Sequence, residues 1–249
     1  MAHRDDIIRQ TEEWLQPDAF KDYNPNGLQS EGKADVRRIV SGVTACQAFL
    51  DAAIEDNADL VLVHHGYFWK GEDQRIRGMK QRRLRTLLTH DVNLLAYHLP
   101  LDAHETLGNN RQLADILSFQ RARPLAPGGL VWIGELSEPM TPEALSAHLS
   151  QRLGRAPLHV GTGPDRIRTI AWCTGAAQGF IDEALAAGAD AYVSGEISEP
   201  TTHTARECGI HYFAAGHHAT ERYGVQALGE RLAETFGIEH RYIDIDNPV

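Results

Sequence analysis

The feature that most restricts the folding of this chain is an internal repeat. Residues 39 to 59 match residues 170 to 190 at a constant offset, with identities at Ile39/Ile170, Ala45/Ala176, Gln47/Gln178, Phe49/Phe180, Asp51/Asp182, Ala53/Ala184, Ala58/Ala189 and Asp59/Asp190. Each copy reads as a strand, a helix and a second strand that opens on Ala-Asp. A strand–helix–strand repeat returns the chain to the same edge of a sheet, so neighbouring strands run parallel and the helices cover the faces. The fold expected is therefore α/β, with two duplicated lobes and largely parallel or mixed sheets.

The elements around the repeat fit this frame. A helix is expected over 5 to 15, and Asn24-Pro-Asn26-Gly27 marks a turn. A strand over 38 to 43 leads to a helix over 45 to 57, the apolar run Leu60 to Val63 reads as a buried strand, and a basic helix follows near 78 to 90. Val92 to Tyr97 is the next strand. The text changes at 121 to 129, Arg-Ala-Arg-Pro-Leu-Ala-Pro-Gly-Gly, which suggests a lobe boundary. Beyond it Leu130 to Leu136 reads as a strand, and Thr141-Pro142 as the cap and first position of a helix reaching about Leu153. The division expected is a first lobe over 1–127, a second lobe over 128–215, and a return over 216–249 that completes the first lobe.

The chemistry-bearing residues sit where these strands end. His64-His65-Gly66 follows Leu60 to Val63 directly. On an ideal strand adjacent side chains point to opposite faces, so two neighbouring histidines cannot both reach one small ion. At a strand end that turns through glycine they can diverge toward two ions. At the corresponding point the second copy has Gly195-Glu196, so Glu196 is a candidate for a supporting or substrate-binding group, with a buried structural use equally open. His217 and Glu221 are four apart and share a face if a helix has begun there, as ligands of one ion do. His98 and Asp102 have the same spacing, but Pro100 between them forbids one continuous helix. Asp102 then falls in the first turn after Pro100 and is a ligand candidate, whereas His98 precedes it and is a candidate proton shuttle. His218 is expected to pack or face away. Histidines 3, 90, 104, 148, 159, 203, 211 and 240 have no partner by spacing, and Cys173 and Cys208 lie in apolar text as small core residues.

Composition narrows the classes of function. A formal charge of −10 argues against nucleic-acid binding over the whole surface. One basic run, Lys70 with Arg75, Arg77, Lys80, Arg82, Arg83 and Arg85, is either a solvated helix face or a phosphate-attracting rim. Three unpaired cysteines, a charged start and no apolar run of membrane-spanning length point to a cytoplasmic chain with no membrane partner.

His64-His65-Gly66, Tyr97-His98-Leu-Pro-Leu-Asp102, Ser194-Gly-Glu196 and Gly216-His217-His-Ala-Thr-Glu221, together with Asn24-Pro-Asn-Gly-Leu-Gln, resemble the NIF-three-like dinuclear-metal proteins, the GTP cyclohydrolase I type II homologues. Four separated motifs in order cover essentially the whole chain, in a short form with no domain inserted between the halves. The resemblance implies two interlaced α/β lobes, a homohexameric ring and two divalent ions per subunit. By motif match His64 and His217 hold one ion, His65 and Asp102 the other, and Glu221 bridges. Imidazole and carboxylate ligands suit zinc, iron or manganese. Two ions held about 3.5–4 Å apart activate water and polarise an electrophile, the logic of a dimetal hydrolase. The expected function is hydrolysis of a nucleotide-like, possibly phosphorylated small molecule, either purine ring opening or phosphoester cleavage. The alternative is a non-enzymatic ring-shaped metal-binding regulator or scaffold.

Overall fold

Asp59 and Asp190, the last identical pair of the repeat, occupy equivalent places in the computed structural model, which describes residues 1–249. Asp59 Oδ2 accepts from the backbone N–H groups of Arg37 and Arg38 at 2.9 and 3.2 Å. Asp190 Oδ2 accepts from those of Arg168 and Thr169 at 2.9 and 2.8 Å. Each carboxylate thus ties the start of its copy's second strand to the start of the first. The registers agree as well: Ile39 lies opposite Leu60, and Ile170 opposite Ala191.

The chain divides into two units. The first comprises Met1–Leu101 and Gly224–Asp246, the second Asp102–Tyr223 and Asn247–Val249. The first unit holds a five-stranded sheet in the order Glu239–Tyr242, Arg38–Thr44, Leu60–His65, Asn93–Ala96, Gly27–Ser30. The first four strands are mutually parallel and the last is antiparallel. The helices Gln47–Glu55 and Gly78–His90 link the parallel strands, and Phe49, Leu50, Leu84 and Leu87 pack on Val40, Val61, Val63 and Leu94. Strands covered this way read as unbroken apolar runs, as Leu60 to Val63 does.

The second unit holds a six-stranded sheet in the order Gln120–Pro124, Trp132–Met140, Ile167–Cys173, Ala191–Ser194, His211–Ala214, Leu158–Gly161. Its three central strands from Ile167 to Ala214 are parallel, and the flanking strands are antiparallel. The helix Pro142–Leu153 starts on Thr141, whose hydroxyl accepts from Ala144 N, and stops at Gly154. Trp132, Trp172, Leu145, Leu149 and Phe213 belong to one core of this unit, and Tyr192 and Tyr212 to another.

Four expectations are revised. The segment 121–129 does not divide the units, because Gln120–Pro124 pairs antiparallel with Trp132–Met140 inside the second sheet, so that unit begins at Asp102 and not at 128. The return to the first unit begins at Gly224 instead of 216, since the residues around His217 stay with the second unit. The repeat's second helix breaks into a 3-10 turn over Gln178–Phe180 and a short helix over Ile181–Ala186, where Gly179 replaces Ala48 of the first copy and weakens helix formation. Cys208 is exposed because it ends the helix Glu199–Cys208, while Cys173 is buried as expected. No helix is long and apolar enough to cross a membrane.

Candidate metal centre

In both units the candidate residues lie at or just beyond the carboxyl ends of parallel strands, the end of an open α/β sheet where ligands bind. Of the expected ligands, His64 and His65 belong to the first unit and Asp102, His217 and Glu221 to the second.

In the first unit the strand Leu60–His65 continues through both histidines. His64 is fully buried, and its ring centre lies 4.6 Å from that of His65 with the planes at 47°. The two imidazoles therefore lean together at the strand end instead of standing on opposite faces. His64 Nδ1 is 2.9 Å from the carbonyl oxygen of Tyr97, which can only accept, so the proton sits on Nδ1 and Nε2 carries the lone pair. His65 Nδ1 is 3.1 Å from Thr44 Oγ1. Gly66 matters here for space rather than for an unusual backbone angle. A Cβ at this position would run into the Gln29 side chain and approach Ala96 Cβ at 2.7 Å. The vacant space admits Gln29 Oε1, which accepts from Tyr67 N at 2.6 Å.

His98 joins this group. Its ring centre is 5.0 Å from that of His64 and 5.8 Å from that of His65, and the three residues offer ligand atoms within 4.8 Å of one another. Pro100 lies in the first turn of the helix Leu99–Ala103, and His98 precedes that helix. Its Nδ1 donates to Asp22 Oδ1 at 2.9 Å. Burial alone would raise the Asp22 pKa, but hydrogen bonds from His98, Asn26 and the Asn24 backbone outweigh it and hold the carboxyl well below the usual range. Tyr23 and Trp69 both meet the His98 ring edge-on, with centroids at 5.1 and 5.2 Å.

In the second unit Asp102 is 6 % exposed, and its Oδ1 accepts from Asn109 Nδ2 at 2.9 Å and from Thr174 Oγ1 at 3.2 Å. Asn110 ties the same network together, donating to the Asp102 carbonyl and accepting from Thr174 N. His217 opens the short helix His217–Thr220, and its Nε2 lies 3.1 Å from Glu221 Oε2. Glu221 is buried, and it and Asp102 present ligand oxygens within 4.8 Å of each other. Glu196 Oε1 accepts from His217 Nδ1 at 2.7 Å, so Glu196 orients His217 within this unit. Burial alone would lower the His217 pKa, but hydrogen bonds and charge from Glu221 and then Glu196 raise it to about 9. Gly175, at φ 68°, follows the strand Ile167–Cys173, and a Cβ there would collide with Glu221 Oε1. His218 is buried and its backbone N–H donates to Val249 O at 3.0 Å, in keeping with a packing role.

This chemistry fits a divalent ion. An imidazole whose Nδ1 is held by a carbonyl or carboxylate, as in His64 and His217, can turn Nε2 toward an ion, and the buried carboxylates Asp102 and Glu221 supply negative charge, the mixture that suits zinc, iron or manganese. The basic run is less available than the sequence suggests. Asp73 accepts from Arg75 and Arg77, and Lys80 pairs with Glu72 at 3.4 Å while lying over the Phe68 ring.

Sequence reasoning missed Asp22, Asn109, Asn110, Thr174 and Gly175. Asn109-Asn110 directly after Gly108 was a visible signal, because two consecutive amides at a helix start have side chains to spend on neighbouring groups. Asp22 lies 76 positions from His98, and no spacing rule links them. The same holds for His159 and His211, whose rings meet at 3.1 Å between nitrogens and pin the edge strand Leu158–Gly161.

Comparison with known proteins places this geometry in context. The model of the family Duf34/NIF3 (NGG1p interacting factor 3) matches residues 2–248. A protein of Pseudomonas aeruginosa named GTP cyclohydrolase 1 type 2 homolog is 59 % identical over 245 residues, covering 97 % of each chain. A solved structure titled protein ybgI, of unknown function, superposes with a TM-score of 0.96 at 51 % identity, covering 99 % of this chain and 100 % of that one. The protein TTHA1606 from Thermus thermophilus superposes with a TM-score of 0.91 at 34 % identity, again over 99 % of this chain and 100 % of the other.

Proposed function

The chain belongs to the Duf34/NIF3 family, and from that premise we propose that it is a divalent-metal-dependent hydrolase acting on a nucleotide-like small molecule. The observation that carries this reading is the pair His64 and His65 at a strand end, whose ligand atoms lie within 4.8 Å of each other and of the His98 ring, the candidate proton carrier. The buried pair Asp102 and Glu221, with His217 beside them, supports it. In this reading His64, His65, Asp102, His217 and Glu221 would hold the divalent ions. Bound divalent ions supply a Lewis acid and lower the pKa of water to about 7, so no serine or cysteine nucleophile is required.

The chain's own residues prepare the site. The Tyr97 carbonyl, and Glu196 in the second unit, hold the Nδ1 protons of His64 and His217 and so aim the opposite nitrogens. Asn109 and Thr174 hold Asp102 in one orientation. His98, which is not counted among the ligands, carries a proton to or from the substrate. The name of the relatives, GTP cyclohydrolase 1 type 2 homolog, directs the substrate toward purine nucleotides, with ring opening or phosphoester cleavage as the reaction. The same reading gives a cytoplasmic homohexameric ring.

The test is a screen of phosphorylated and cyclic nucleotides against protein of measured metal content. Turnover that disappears on chelation while the oligomer persists supports the hydrolase. An oligomer that falls apart on chelation, with no turnover of any nucleotide beforehand, favours a metal-held scaffold instead. Elemental analysis separates the residue roles: Glu221→Ala is expected to release both ions, and His98→Ala to retain nearly all of them. The opposite order overturns the ligand assignment.

A further inference from the structure

Asp22 lies outside every sequence motif used above, yet four hydrogen-bond donors converge on its carboxylate. Its side chain is 3 % exposed and that of His98 7 %. Oδ1 accepts from His98 Nδ1 at 2.9 Å and from Asn24 N at 3.0 Å. Oδ2 accepts from Leu99 N and from Asn26 Nδ2, both at 3.0 Å. Asn26 Oδ1 in turn accepts from His98 N at 2.7 Å, so the backbone and the ring of His98 are both held from the loop around Asp22.

An ionised carboxylate only accepts, and four donors converge on this one. The His98 proton therefore resides on Nδ1. With Nδ1 engaged, Nε2 is the atom His98 offers to the group formed with His64 and His65. The Tyr23 and Trp69 rings standing edge-on to the imidazole restrict its rotation.

We propose that Asp22 is a positioning residue that locks His98 in the Nδ1–H tautomer, so that Nε2 faces the histidine cluster as a proton acceptor. The proposal rests on the reading of His98 as the proton carrier, and it extends that reading to a residue 76 positions away. A wrong tautomer presents a hydrogen where an acceptor is needed, and this disables a histidine base even when its geometry is intact.

Asp22→Asn is the informative substitution. The new amide must turn its NH2 toward one pair of the four donors. Leu99 N and Asn24 N can only donate, and Asn26 cannot reverse its amide without losing the bond from His98 N. The imidazole alone can change from donor to acceptor by moving its proton to Nε2. In protein labelled with 15N-histidine and freed of metal, two-bond 1H–15N correlations read the tautomer directly. The wild type is expected to show a protonated Nδ1 and an unprotonated Nε2 at His98, Asp22→Asn the reverse, and Asp22→Glu a return toward the wild-type pattern. With a substrate from the nucleotide screen, Asp22→Asn lowers kcat by about 10²–10⁴-fold while KM stays within about twofold. A wild-type His98 protonated on Nε2, or an Asp22→Asn spectrum identical to wild type, overturns the proposal. The wild-type spectrum decides the matter alone if Asp22→Asn does not fold. The tautomer is read without turnover, so failure to find a substrate counts against the hydrolase and leaves this assignment to stand or fall by the spectra.

Discussion

At the scale of single residues, Gly175 shows how little tolerance the second unit leaves around its carboxylates. The position has φ 68°, and a Cβ would meet the buried Glu221 carboxylate and stand 3.2 Å from His217 Nε2. Its carbonyl accepts from Gly195 N and Ser194 Oγ, and its N–H donates to Thr220 Oγ1, so the backbone cannot drift to relieve the clash. Gly175→Ala is expected to destabilise the protein by at least about 1 kcal/mol through the left-handed backbone alone. It should also cut metal content, because the displaced carboxylate is Glu221. Thermal unfolding and elemental analysis on one preparation check both; a variant with unchanged melting and full metal removes Gly175 from the site. His98 and Asp102 show what residue-level reading of the sequence achieves. Pro100 alone implied that the two do not share a helix face, and the structure gives each its own partners.

At the scale of elements, the strand Glu239–Tyr242 joins the first sheet beside Arg38–Thr44 through a histidine that stays neutral. His240 Nε2 lies 2.8 Å from Ser41 Oγ, and its ring fills the space beside Gly229. Burial lowers its pKa from 6.5 to about 4. A depressed pKa means that the unfolded chain binds this proton first. The contribution of His240 is therefore complete above pH 6.5 and is lost as the pH falls from there to about 4. Urea unfolding across that range is expected to show a steeper decline for the wild type than for His240→Gln. Equal slopes would mean that the imidazole is solvated. The parallel strands and their linking helices were legible from the repeat, because the apolar runs and the Ala-Asp openings keep the same spacing in both copies. Of the antiparallel flanking strands only Trp132–Met140 was, through the run Leu130 to Leu136. Gln120–Pro124 is half-exposed and Arg-rich, and it is a strand only because Trp132–Met140 offers its backbone as a partner.

At the scale of the whole molecule, the first unit is assembled from two distant stretches of chain. Gly224–Asp246 supplies an edge strand and the buried side chains Val225, Leu228 and Leu232. Each such side chain contributes about 1.5–3 kcal/mol on burial, and three of them rival the whole stability of a typical domain, about 5–15 kcal/mol. A chain ended at Tyr223 is expected to lose amide protection along Arg38–Thr44, which pairs with Glu239–Tyr242, as hydrogen exchange will report. Retained protection there would show that the unit closes without its return segment.

The sequence by itself determined the α/β class, the parallel strand order within each copy of the repeat, and the residue types gathered at the strand ends. These follow from local periodicity and from side-chain chemistry, which act over a few positions. Tertiary structure alone decided where the unit boundaries fall, and that Asp22 meets His98, that Asn109 and Thr174 hold Asp102, and that Glu196 orients His217. A hydrogen bond between residues far apart in the chain leaves no periodic trace, because its geometry exists only once the intervening elements have packed.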